Sequence, residues 1–277
     1  MSCATPSGEL PIGVFDSGIG GLTVVGALLR RLPGESLIYL GDTARVPYGT
    51  KSPETVVAYS TSNARFLLSK GIKMLVIACN TASATALSAL GSVSPVPVVG
   101  VIEPGARRAV RATVTGSVGV IGTPSTIRSS AYTRAIHRLD GRIEVHSASC
   151  PLFVPLADEG LHESEIARIA AAMYLEPLKR KGIDTLILGC THYPLLKGVI
   201  AELMGPNVRL VDSAEETAGE VERLLELNGL KRRSASPPVR RFYLTDVSDT
   251  FLEVAERFLR APIDGVEHVD IGAQARA

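Results

Sequence analysis

Short, continuous apolar runs separated by longer amphipathic stretches set the rhythm of this chain. The runs "LPIGVFD", "LIYLGD", "MLVIAC", "VPVVGVIE", "SVGVIGT", "EVHSASC", "TLILGC" and "VRLVDS" have strand length. Most are too uniformly apolar to leave one face wet, which predicts parallel strands covered by helices on both sides. The stretch between the second and third runs carries the helix signals: Ser52 as N-cap, Pro53 at the first helical position, Glu54 in the first turn, and Gly71 past the end of a helix over 53–70. Similar periodicity predicts helices over about 163–181 and 215–227. The alternation is that of an α/β protein. Beyond 213 the pattern reads as a helix, the polar loop "KRRSASPPVRR", a strand "FYLTD", a helix over 248–260 and a short closing strand within "GVEHVDIGAQARA".

The same pattern repeats. "GIKMLVIACNTASA" (71–84) and "GIDTLILGCTHYPL" (182–195) share Gly-Ile, an apolar run and a terminal cysteine, so that Cys79 and Cys190 stand 111 residues apart. At neighbouring offsets of 106 and 110, "IGVFDSGIGG" (12–21) resembles "VGVIGTPSTI" (118–127), and "PVVGVIEPGA" (97–106) resembles "NVRLVDSAEE" (207–216). The expectation is two similar α/β units related by an approximate two-fold axis, with a site in the cleft between them. The second unit would span 102–212. The first would span 1–101.

Each repeated cysteine closes a strand at the carboxyl edge of its sheet, where open parallel sheets bind ligands. Each is also expected to open the following helix, whose free N–H groups favour a thiolate. The plain alternative is a small buried hydrophobe, the common fate of a free cysteine. Two thiols facing each other across a cleft suit one reaction, inversion at a carbon acid. It needs a base on one face and an acid on the other, with the roles exchanged in reverse. Asp16, after the first strand, is a candidate proton acceptor for Cys79, and His192 a candidate partner of Cys190. Their bland roles are helix N-capping and a hydrogen-bonded, half-buried imidazole.

Composition narrows the field. The chain has 277 residues, 45% of them apolar, with Lys+Arg 29 against Asp+Glu 28. It is long enough for two cores and lacks the basic footprint of a nucleic-acid or anionic-membrane binder. No run reaches the roughly 18–20 apolar residues of a membrane span, and "MSCATPSGELP" has no signal-peptide pattern, so a cytoplasmic location is expected. Four cysteines without C-x-x-C spacing argue against a disulfide framework or a zinc ribbon. Cys150 has no repeat partner and reads as structural; Cys3 falls in a terminus expected to be mobile. "GIGG" at 18–21 is not a dinucleotide fingerprint, although Asp42 partly mimics its acidic residue. There is no phosphate-binding P-loop and no lysine context for pyridoxal phosphate.

Taken together, "PIGVFDSGIGGLTV", "LGDTARVPYG", "VIACNTASA", "LILGCTHYPLL" and "VDSA" resemble, in order, the signature segments of the bacterial glutamate racemase family, over residues 11 to about 260. Either cysteine segment alone also fits aspartate racemase and related enzymes. The resemblance implies cofactor-independent interconversion of L- and D-glutamate, supplying D-glutamate for peptidoglycan. It implies that Cys190 takes the α-proton from L-glutamate and Cys79 returns one, that the closing segment 213–277 returns to the first unit, 1–101, and that a homodimer forms. Substrate contacts carried over fall on Asp16 and Ser17, Tyr48 and Gly49, Asn80 and Thr81, and Thr191 and His192. Without the cysteines, these residues would pass for ordinary cap and turn residues. Asp42 either assists the proton network or pairs with Arg45. Relatives often carry a glutamate after "CPLFVPL"; here the segment reads "ADEG", which offers Asp158 or Glu159. No metal or cofactor is expected. Some relatives are associated with DNA gyrase, a role to which this sequence lends no support. The competing readings are a racemase of aspartate or a hydantoin-like substrate, and a two-lobed amino-acid-binding module, which would give neither thiol a purpose.

Overall fold

The computed structural model describes residues 7–247, 251–259, 263 and 265–272; Cys3 and the ends of the expected 248–260 helix lie outside the described residues. Among the described residues, ten strands form two fully parallel sheets. They are β1 (Ile12–Asp16), β2 (Leu37–Gly41), β3 (Met74–Ile77), β4 (Val98–Gly100), β5 (Ser117–Gly122), β6 (Glu144–Ser149), β7 (Thr185–Gly189), β8 (Arg209–Asp212), β9 (Arg240–Leu244) and β10 (Val266–His268). One sheet runs β10-β9-β2-β1-β3-β4 and the other β6-β5-β7-β8. The order β2-β1-β3-β4 in the first is matched by β6-β5-β7-β8 in the second, so the sequence repeat is a repeat of topology.

The uniform apolarity of the central strands has a direct cause. In β1 and β3, Ile12, Val14, Met74 and Val76 point into one core with Val24, Val25 and Leu28 of the helix Leu22–Arg31. Phe15, Leu75 and Ile77 point into another with Val56, Ala64 and Leu67 of Pro53–Ser69 and Ala82, Ala86 and Leu90 of Asn80–Val93. Alternate side chains go to opposite faces, and helices cover both faces. Each large side chain so buried contributes about 1.5–3 kcal/mol. The edge strand β6 departs from expectation: its run "EVHSAS" is mostly polar and is only half-buried or exposed throughout.

Helix punctuation follows the sequence. Ser52 Oγ accepts from the Thr55 N–H, Pro53 opens the helix, and Gly71 adopts φ +71° beyond its end. The helices expected over 163–181 and 215–227 are Glu165–Lys179 and Ser213–Leu227. Ser213–Leu227 packs on Leu22–Arg31, with exposed ion pairs Arg30–Glu215 (2.6 Å) and Arg31–Glu222 (2.7 Å). The polar loop after 230 is largely exposed but anchored, because Glu35 accepts from the Arg232 N–H at 2.8 Å. No helix among the described residues is long and apolar enough to cross a membrane.

Candidate active site

Beyond the carboxyl ends of β3 and β7 lies a cavity of about 120 Å³ lined by residues of both sheets. Cys79 and Cys190 line it, with Ser17, Tyr48, Gly49, Asn80, Thr81, Thr191 and His192. Of the expected catalytic and substrate-contact residues, Asp16 alone is not on its wall; Asp42, Asp158 and Glu159 also lie off it. Cys150 is buried and free elsewhere; its carbonyl accepts from the Tyr193 hydroxyl at 2.8 Å, a structural placement.

The two cysteines share an address but not their surroundings. Cys79 is the N-cap of Asn80–Val93, and its Sγ accepts from the Ala82 N–H at 3.5 Å. The matching helix after Cys190 is delayed: Cys190 is followed by Thr191 and His192, a 3₁₀ turn Tyr193–Leu196, and only then the helix Lys197–Met204. The expectation that both thiols open a helix holds for Cys79 alone. Nor does that helix start make Cys79 a ready thiolate. Burial, and after it the Asp16 carboxylate, push its thiol up to about 12, against the opposing bonds from Ser17 and Ala82.

Asp16 is wholly buried. Its Oδ2 accepts from the N–H groups of Gly18 (3.1 Å) and Gly21 (2.9 Å), bracing the glycine loop rather than serving as the helix N-cap, which is Gly21, while Oδ1 has no protein partner. Burial raises its pKa, against the charge of His192 and these N–H bonds. The group touching Cys79 is Ser17, whose Oγ accepts from Sγ at 3.3 Å. Asp16 therefore acts on the thiol through its field rather than by direct contact.

His192 is buried beside Cys190, its Nδ1 3.7 Å from Sγ and 3.3 Å from Thr191 Oγ1. Its Nε2 lies 3.2 Å from Asp158 Oδ1. Burial opposes its charging, but Asp158 and Cys190 outweigh that and hold the imidazole well above its ordinary value. The choice left open by "ADEG" is decided in space: Asp158 faces the imidazole, and Glu159 lies with it along an adjoining outer cleft. "GIGG" has a packing reason as well. A Cβ on Gly20 would stand 2.5 Å from the His192 ring and from Thr191 Oγ1, so only glycine lets the loop after β1 close on the strand end of the other sheet.

Tyr48 and Gly49 follow the cis Val46–Pro47 bond in a one-turn 3₁₀ helix. The Tyr48 hydroxyl donates to Asp42, Asn63 Nδ2 donates to the Tyr48 oxygen at 3.1 Å, and Asp42 pairs with Arg45 at 2.8 Å. Asp42 thus does pair with Arg45 and at the same time holds Tyr48 in the cavity wall. A Cβ on Gly49 would lie 2.7 Å from Thr123 Cβ, another close approach between the sheets.

Thr123 was not among the expected residues, yet it lines the cavity and bonds Thr81 Oγ1 at 3.0 Å. The repeat contains the signal: in the alignment of 12–21 with 118–127, Thr123 stands where Ser17 stands. Asn63 and Tyr132 have no such signal, since neither is near a cysteine in sequence. Among the described residues no group of three or more His, Cys, Asp or Glu is arranged to hold a metal ion.

Two α/β lobes with one thiol each on a shared cavity are the build of a racemase, an isomerase acting at a single carbon. The Asp/Glu/Hydantoin racemase family model matches residues 12–221. A glutamate racemase from Geobacter metallireducens is 54% identical over 263 residues, which is 95% of this chain and 97% of that protein. Among solved structures, glutamate racemase isoform RacE1 from Bacillus anthracis has a TM-score of 0.91 at 43% identity, covering 94% of this chain and 97% of its own. Glutamate racemase from Francisella tularensis, solved in complex with D-glutamate, has a TM-score of 0.91 at 41% identity, covering 96% and 99%. The chain belongs to the Asp/Glu/hydantoin racemase family and, within it, to the glutamate racemases.

Proposed function

We propose that this enzyme interconverts L- and D-glutamate by a two-base mechanism without a cofactor, Cys190 and Cys79 acting on opposite faces of the α-carbon. The observation that carries the reading is that both thiols, from matching strand ends of separate sheets, line one cavity. With L-glutamate, the Cα–H bond breaks as its proton passes to the Cys190 sulfur. The electron pair delocalises into the α-carboxylate, and the Cys79 S–H proton then adds to the other face. D-glutamate follows the same path in reverse.

The surroundings suit that division. Cys79, held as a thiol by burial, is ready to donate; Cys190 has the imidazole of His192 beside it, with a raised pKa that favours a cation. Ser17, Asn80, Thr81, Thr123 and Thr191 offer hydroxyl and amide groups to the two carboxylates and to the charge that develops on one of them. The buried Asn80 Nδ2 has no protein partner, as expected of a donor waiting for a ligand.

The same proposal takes residues 1–101 with 213–277 as one domain and 102–212 as the other, a homodimer as the assembly, the cytoplasm as location and peptidoglycan precursors as the destination of D-glutamate. The test incubates the purified, reduced protein with L-glutamate, D-glutamate or L-aspartate in D₂O. Loss of optical activity with deuterium at Cα for glutamate alone, undiminished by exhaustive chelation, is the expected result. Turnover of aspartate instead would replace the substrate; exchange with none of them would sink the reading.

A further inference from the structure

Tyr132 belongs to the helix Ala131–Leu139 on the β5–β8 side of the molecule and is 3% exposed. Its hydroxyl donates to Asn80 Oδ1 at 2.8 Å, reaching the residue after Cys79 on the opposite lobe. Its ring rests on the residue before the other cysteine: a Cβ on Gly189 would lie 3.0 Å from Tyr132 Cε2, and one on Gly105 would lie 3.3 Å from Cε1. One phenol ring therefore spans from the backbone that carries Cys190 to the side chain that follows Cys79.

A tyrosine hydroxyl can donate to an amide oxygen or accept from an amide nitrogen, and here it donates to the oxygen end of Asn80. An amide offers an acceptor at one end and donors at the other. With Oδ1 occupied by the tyrosine O–H, Nδ2 is left as the free end, buried and without a protein partner in a residue that lines the cavity. If Oδ1 faced the cavity instead, it would meet a carboxylate acceptor to acceptor.

We propose that Tyr132 is a positioning residue for substrate binding: its hydroxyl locks Asn80 with the amide donor facing the cavity, while its ring sets the spacing between the strand ends that carry the two thiols. This rests on the reading of the cavity as the glutamate site. It ties substrate recognition on one lobe to the placement of the other, since the bond crosses between them.

A double-mutant cycle tests it, with Tyr132→Phe, Asn80→Ala and the two combined, each assayed for KM and kcat in both directions and for Tm. Tyr132→Phe keeps the ring and its packing on Gly189. It is expected to raise KM for glutamate about tenfold, the cost of one hydrogen bond that orients a buried donor, with kcat changed less than about twofold. The double variant should be no worse than Asn80→Ala alone, because the hydroxyl, which also meets Ser213, acts on substrate through that amide. Tyr132→Leu, which also removes the ring, should lower kcat as well as raise KM. Additive losses in the cycle, or an unchanged KM in a normally folded Tyr132→Phe, would overturn the assignment while leaving the racemase reading standing. A wild-type enzyme inactive on glutamate would sink both.

Discussion

His192 Nε2 stands 3.2 Å from Asp158 Oδ1, and the opposite nitrogen of the same ring stands 3.7 Å from Cys190 Sγ. The imidazole thus bridges a carboxylate that is 38% exposed and a buried thiol. Cys79 has no such bridge; its nearest polar partner is the Ser17 hydroxyl, with the buried Asp16 carboxylate behind. Two thiols at matching positions in the fold have opposite electrostatic neighbours, a cation on one side and an anion on the other.

The first prediction concerns pH. His192 has a folded-state pKa well above its ordinary value of 6.5. A raised histidine contributes stability that is fully present below the unfolded pKa of about 6.5 and is lost as pH rises through the folded value. Tm should therefore fall as pH climbs from about 6.5 through that elevated value, and Asp158→Asn should flatten the dependence by removing one of the partners that holds the proton. Identical Tm profiles for the two proteins would show that Asp158 does not.

Replacing either thiol by a hydroxyl, a far weaker acid, removes the sulfur that can release and take up a proton readily. Cys79→Ser and Cys190→Ser should each lower racemisation by about 10²–10⁴-fold with circular dichroism spectra of the folded protein unchanged. Normal turnover in either variant, followed polarimetrically, would end the two-base assignment.

Asp16→Asn keeps an oxygen for the N–H groups of Gly18 and Gly21 but deletes the negative charge that opposes ionisation of Cys79. The Cys79 pKa should drop from about 12, because removing a neighbouring anion favours the thiolate. Alkylation rate against pH in a Cys3→Ala, Cys150→Ala, Cys190→Ala background, with Cys79 the one remaining thiol, reads it directly. An unmoved curve would leave Asp16 as a loop cap alone.

Gly20→Ala forces a methyl group against His192 and Thr191, whereas Gly34 has nothing within 4 Å of its would-be Cβ. Gly20→Ala should destabilise by about 1–3 kcal/mol, as overpacking does, and lose activity in both directions; Gly34→Ala should change neither beyond about 0.5 kcal/mol. Urea denaturation and initial rates check both, and a fully active Gly20→Ala would mean that the loop can shift without cost.

What the sequence by itself determined is what local chemistry encodes. Uniform apolarity in "PIGVFD" and "MLVIAC" prescribes strands buried on both faces, since alternate side chains must each find a core. Ser52, Pro53 and Gly71 delimit a helix through backbone hydrogen bonding and φ alone. The repeat around Cys79 and Cys190 carried the matching strand order; that both thiols meet at one cavity is a fact of the tertiary structure. Thr123 was within reach too, at the repeat position of Ser17.

Only the tertiary structure decided the rest, because it depends on distance through space. Asp158 and Glu159 are consecutive at the end of the helix Phe153–Asp158, and a helical step turns adjacent side chains in different directions; packing of that turn against His192 selects one. Asp42, Tyr48 and Asn63 share a hydrogen-bonded cluster, and Tyr132 meets Asn80, across separations that no periodicity records. The ionisation of Cys79 is the clearest case. Its helix start argues for a thiolate, but the folded chain buries the sulfur, and desolvation outweighs the few N–H groups at the helix end.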